Sequence, residues 1–72
     1  MATFAERLKQ LRKEHGLTQK ALGEVISVTS TMVSCYEKGI YYPEVKNFFA
    51  LARFFEVSLD YLAGWSDKRE ID

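Results

Sequence analysis

The chain has 72 residues and no net charge at neutral pH, with ten Lys or Arg balanced by ten Asp or Glu. A chain of this length makes one domain with a small core, burying only somewhat more than ~60% of its unfolded surface. A single Cys excludes an internal disulfide, and with one His it cannot furnish a structural zinc site, so neither cofactor nor metal is expected. The chain lacks a basic, apolar, cleavable leader and any apolar run approaching ~18 residues, which leads to the expectation of a soluble, cytoplasmic protein. The charge is unevenly placed: residues 1–20 carry a balance of plus three and residues 58–72 one of minus two.

Thr3 followed by Glu6 is a capping box, and Phe4, Leu8 and Leu11 then recur at helical spacing until Gly16, a left-handed stop. The outward face of this first helix carries Arg7, Lys9, Lys13 and Glu14, read as solvated surface. Thr18 caps a short second helix with Leu22, Val25 and Ile26 on its apolar stripe. Gly23 lies inside that helix, where glycine costs ~1 kcal/mol relative to alanine, so a close helix crossing is the reason expected for it.

Ser27 and Val28 form a tight turn. Thr29 caps a third helix that runs through Lys38 and is closed by Gly39. With Val33 at the centre of the buried face, a rotation of about 100° per residue keeps Tyr36 and Thr29 inward and turns Thr31, Cys35 and Lys38 away, with Met32 and Ser34 on the flanks. Pro43 suits the first turn of a fourth helix reaching about Glu56, whose stripe is Val45, Phe48, Leu51, Ala52 and Phe55. Phe49 and Phe54 fall beside that stripe, and completion of the core fits Phe49 better than Phe54. Ser58 caps a last helix with Leu59 and Leu62 that ends at Gly64. The reading is all-α, with five helices, a domain over residues 1–66 and a polar tail over 67–72.

From Leu17 to Gly39, two short helices joined by a tight turn present small polar side chains outward, a geometry suited to a DNA groove. The ordered set GLTQKAL, the turn, VSCYEKG and FFEVSLDYLAG resembles the Cro and lambda-repressor-like helix-turn-helix family over roughly residues 4–64. The closing SLDYLAG looks most like small Gram-positive and prophage repressors. The resemblance implies a five-helix DNA-binding domain with Gln19 on a phosphate and Ser30, Thr31, Ser34 and Cys35 at base-reading and groove-lining positions. It also implies a second phosphate clamp at Lys38 and the backbone from Tyr42 to Val45. Lys20 and Lys46 are added for their proximity to those points. Arg12 and Glu37 match a pair that ties helix 1 to the end of helix 3 in family members. Loss of one buried partner there costs ~3 to 5 kcal/mol, so it acts on folding before specificity.

The chain departs from the family pattern in three places. Ser27 and Glu56 stand where glycine is frequent, and at Ser27 a left-handed backbone is expected to carry strain of ~1 kcal/mol. The reading positions hold no Arg, Gln or Asn, the residues whose bidentate base contacts are worth ~1 to 3 kcal/mol each. Single hydrogen bonds, thymine methyls, water bridges and DNA deformability must then supply recognition, and specificity is expected to be modest.

The family implies a two-fold homodimer on half-sites ~10 base pairs apart in a double-stranded operator. Phe54, Tyr61 and Trp65 are the expected interface, since aromatic side chains are frequent anchors. The function expected is transcriptional regulation, as a repressor, with no membrane partner or small-molecule ligand. The alternative is a helix-turn-helix domain that has lost DNA affinity and binds another protein. An enzyme is not expected, since no nucleophile and base, paired carboxylates or Gly-rich phosphate loop converge.

Overall fold

The computed structural model describes residues 2–71; Met1 and Asp72, the outer ends of the expected domain and tail, lie outside the described residues. Thr3 accepts a hydrogen bond from the Glu6 amide while the Glu6 carboxylate accepts from the Thr3 amide, and this reciprocal cap opens α1, Phe4–Glu14. Thr18, Thr29 and Ser58 each accept one backbone amide through the side-chain hydroxyl, opening α2 (Gln19–Ile26), α3 (Ser30–Glu37) and α5 (Leu59–Ala63). Only α4, Val45–Phe55, starts without a side-chain cap, with Glu44 at that position. Pro43 sits ahead of the cap and outside the first turn where it was expected. No strand is present among the described residues, and none of their helices is long and apolar enough to cross a membrane.

The core joins all five helices through Phe4, Leu8 and Leu11 of α1, Leu22 and Ile26 of α2, Val33 and Tyr36 of α3, Leu51, Ala52 and Phe55 of α4, and Tyr61 and Leu62 of α5. Val57 joins them from the loop between α4 and α5. Three stripe residues expected inside are outside: Val25, Val45 and Leu59 are exposed. Val45 lies one turn ahead of Phe48, at the very start of α4, where the stripe runs past what the core covers. Thr29 is likewise exposed, its side chain occupied in capping. Phe49 is the more exposed of the two flanking aromatics, 51% against 39% for Phe54, the reverse of the expected order.

Arg7 overturns the reading of α1's outer face. It is 4% exposed, its guanidinium lies 3.8 Å from the centre of the Tyr61 ring, and it donates to the Tyr61 and Ser66 carbonyls and to Asp67 at 2.6 Å. Arg69 also lies over that ring, donates to the Tyr61 hydroxyl and holds both oxygens of Glu14 at 2.8 and 2.9 Å. Ser58 completes the strap: its amide donates to the Arg69 carbonyl and its hydroxyl to the Lys68 carbonyl. The polar stretch read as a tail therefore folds back through Arg69 and ties α5 to α1. The Arg69 hydrogen bonds, followed by one from Gln10, hold the Glu14 carboxyl below its ordinary range.

Two non-glycine residues adopt positive φ, Ser27 at 60° and Glu56 at 56°, each as the left-handed cap ending a helix. A Cβ is disfavoured in this region by ~1 to 2 kcal/mol, offset in part by the greater freedom of glycine in the unfolded chain. Ser27→Gly and Glu56→Gly are each expected to raise stability by about 0.5 to 1 kcal/mol, additively because the sites are independent, as measured by urea unfolding.

Candidate nucleic-acid interface

Gly23 sets how closely α2 and α3 cross. A Cβ there would lie 2.5 Å from the Val28 carbonyl oxygen and 3.3 Å from the Thr29 carbonyl, atoms of the turn backbone that have no flexible end to swing away. The Val28 amide donates to the Gly23 carbonyl at 2.9 Å, so the turn is hydrogen-bonded to the very residue it crowds. The left-handed Ser27 then lets the chain reverse, and Thr29 caps α3 at once.

Val33 and Tyr36 pin α3 to the core, at 0% and 5% exposed. Of the four expected reading residues, Thr31 and Cys35 lie opposite Val33, Ser34 lies on the flank and Ser30 is in the first turn; Ser30 and Thr31 are exposed, Ser34 and Cys35 half-buried. None of the four makes a side-chain hydrogen bond among the described residues, whereas no buried side-chain polar atom elsewhere is left without a partner. Small polar side chains left open to solvent on a helix whose other side is pinned to the core are available to a partner.

Arg12 and Glu37 brace that face from behind. The guanidinium meets the carboxylate through two bonds, Nε to Oε2 at 2.6 Å and Nη2 to Oε1 at 3.0 Å, and Nη1 donates to the Leu17 carbonyl at 2.8 Å. The side chains are 12% and 4% exposed, and the hydrogen bonds to Glu37 hold Arg12 more firmly protonated than usual. Gln19 joins this pair, donating from Nε2 to Glu37 Oε1 at 3.2 Å. One contact network thus links the end of α1, the start of α2 and the end of α3, and it leaves the second N–H of the Gln19 amide available.

Ion pairing separates the charges held within the fold from those left on its surface. Arg7, Arg12 and Arg69 are spent internally on Asp67, Glu37 and Glu14. Lys20, Lys38 and Lys46 are exposed and make no ion pair among the described residues. They stand at the start of α2, the end of α3 and the first turn of α4. Tyr42 is 74% exposed with its ring 5.6 Å from that of Phe4, beside the uncapped start of α4 whose amides point outward.

The chain belongs to the helix-turn-helix family. The family's profile, HTH_3, of Cro/CI type, matches residues 8–62. The HTH-type transcriptional regulator YobD of Bacillus subtilis is 38% identical over 64 residues, covering 89% of this chain and 57% of that protein. A transcriptional regulator from Listeria innocua superposes with a TM-score of 0.85 and 34% identity over 97% of this chain and 65% of that one. The P22 c2 repressor in complex with a synthetic operator superposes at 0.84 and 29% identity, over 92% of this chain and 100% of that one. The chain spans about half the length of several curated relatives it matches. The five-helix architecture of this helix-turn-helix chain is that of the repressor structures.

Of the aromatic residues expected at an interface, Trp65 is 79% and Phe54 39% exposed, the latter beside His15 and Phe55. Tyr61 is a correction: at 5% exposed, with two guanidiniums over its ring, it offers no surface to a partner. Sequence reasoning missed Arg7 and Arg69 as the groups that enclose it. The signal for Arg7 was present, since residues 4, 7, 8 and 11 follow the i, i+3, i+4, i+7 spacing of an inward stripe.

Proposed function

We propose that this helix-turn-helix protein is a DNA-binding transcriptional regulator that lays α3 in the major groove, with Ser30, Thr31, Ser34 and Cys35 toward the bases. The observation that carries this reading is the outward face of α3, small, polar and without intramolecular side-chain hydrogen bonds among the described residues, on a helix braced from behind by the Arg12–Glu37–Gln19 network. The likeness to an operator-bound P22 c2 repressor supports it. Gln19, Lys20, Lys38, Lys46 and the backbone at Tyr42 to Val45 face phosphates in this arrangement, and repression follows from occupation of a promoter.

The protein acts as a homodimer on a two-fold operator. Phe54 and Trp65 are joined as candidate interface by Phe49, Leu59 and Ile71, exposed side chains that line a groove of about 770 Å³ between α4, α5 and the strap. Arg53 and Lys68 border this groove together with Glu56, Asp60 and Glu70, and such mixed signs suit pairing with a second copy.

Selection from a pool of randomised duplexes, followed by footprinting of the selected DNA, tests the reading. Two protected half-sites about one helical turn apart are expected, with conserved bases that are few and degenerate. With three lysines per protomer on phosphates, log K is expected to fall with log salt at a slope of about five, and Lys38→Gln to lower that slope by about one per protomer. Affinity for DNA that is absent, or indifferent to salt, rejects the reading in favour of a protein-binding module.

A further inference from the structure

Thr31 and Cys35 stand one turn apart on α3, both rotated about 160° from the buried Val33, so geometry alone makes them equally open. Thr31 is exposed, yet Cys35 is half-buried. The core lies on the other side of the helix, and the chain that follows α3 turns back at this end, bonded to the Cys35 carbonyl.

That chain closes the helix with two interlocked bonds. Gly39, at φ 76°, donates to the Tyr36 carbonyl at 3.1 Å, and Ile40 donates to the Cys35 carbonyl at 2.9 Å, which Tyr41 approaches at 3.5 Å. This closure commonly sets the side chain of the second residue past the cap against that of the third residue from the helix end, here Ile40 against Cys35. Ile40 nevertheless remains 60% exposed, and it follows directly on a helix whose expected reading residues offer no amide or guanidinium. An exposed branched apolar side chain there matches the one apolar group on a major-groove base edge, the thymine 5-methyl.

We propose that Ile40 is a specificity-determining residue, forming with Cys35 an apolar end to the reading face that contacts a thymine methyl in each half-site. This rests on the reading of α3 as the groove-binding helix. Ile40 contributes discrimination with no charge, and it lies outside the helix that carries the other reading residues.

The test uses the full chain and the duplex it selects, with each thymine replaced in turn by deoxyuridine, which removes only the methyl. At one thymine per half-site the wild type is expected to lose about fourfold in affinity, near the value of one buried methyl group. Ile40→Ala is expected to be insensitive at that thymine while keeping its melting temperature and salt slope, and Ile40→Val to keep the sensitivity. The proposal is overturned if Ile40→Ala retains the same uracil sensitivity as the wild type, if it weakens all duplexes equally, or if no thymine of the selected site is methyl-sensitive. In those cases the groove-binding reading of α3 stands. If the wild type selects no duplex at all, that reading falls and the role of Ile40 with it.

Discussion

Gly23→Ala is expected to destabilise the domain by about 3 kcal/mol, the upper end for overpacking, because the added Cβ meets turn backbone. Relief requires α2 and α3 to move apart, which breaks the bond from the Val28 amide to the Gly23 carbonyl and lifts Val33 from the core. At the usual ~0.05 to 0.15 kcal/mol per residue, a chain of this size has about 4 to 11 kcal/mol in all, so the loss is a large share of it. Urea unfolding measures the effect. A midpoint within error of wild type would mean that the crossing is looser than the structure shows. The intrinsic helix preference of alanine over glycine, ~1 kcal/mol, acts in the opposite direction, so a net loss is a clean sign that steric contact decides.

Removal of Glu37 is the second large effect. Glu37→Ala leaves the Arg12 guanidinium nearly buried without its counter-charge, and Gln19 without its acceptor, for an expected loss of about 3 to 5 kcal/mol. Arg12→Met leaves the 4% exposed carboxylate unpaired and should cost a similar amount. The double variant is expected to recover part of the loss, since neither charge is then left buried without its partner. Recovery stays incomplete because the Leu17 carbonyl loses the Arg12 donor, at about 1 to 3 kcal/mol. A double-mutant cycle by chemical denaturation reads the coupling, and simple additivity of the two single variants would show that the pair is not a unit. DNA affinity is expected to fall with the folded fraction, and base preference to stay unchanged.

Local chemistry made most of the fold legible. The four capping residues Thr3, Thr18, Thr29 and Ser58 each have an acceptor oxygen one residue before a helix, and a cap satisfies amides within three residues of itself, so no distant contact is needed to recognise it. The family resemblance, rather than local chemistry, marked Ser27 as left-handed and Glu56 as standing where glycine is frequent, and both have positive φ, 60° and 56°. The outward direction of the reading face likewise follows from 3.6-residue periodicity once Val33 is taken as inward.

What escaped was whatever depends on a partner far along the chain. Arg7 was read as surface because a cation is rarely buried, yet Tyr61 and Asp67, more than fifty residues away, supply the ring and the carboxylate that make burial favourable. Tyr61 was read as an interface anchor for the same lack of information, and Phe49 and Phe54 were ranked in the wrong order. Val25 and Val45 sit on correct helical stripes but at places where no neighbouring helix reaches them. Sequence alone determined the five helices, the caps of four of them and the helix-turn-helix, because these are set by hydrogen bonds and periodicities within one or two turns. Only the tertiary structure decided which stripe residues are covered, that the polar C-terminal stretch is a strap, and that Arg7, Arg12 and Arg69 are neutralised internally while Lys20, Lys38 and Lys46 stay exposed, because burial and ion pairing depend on how distant segments meet.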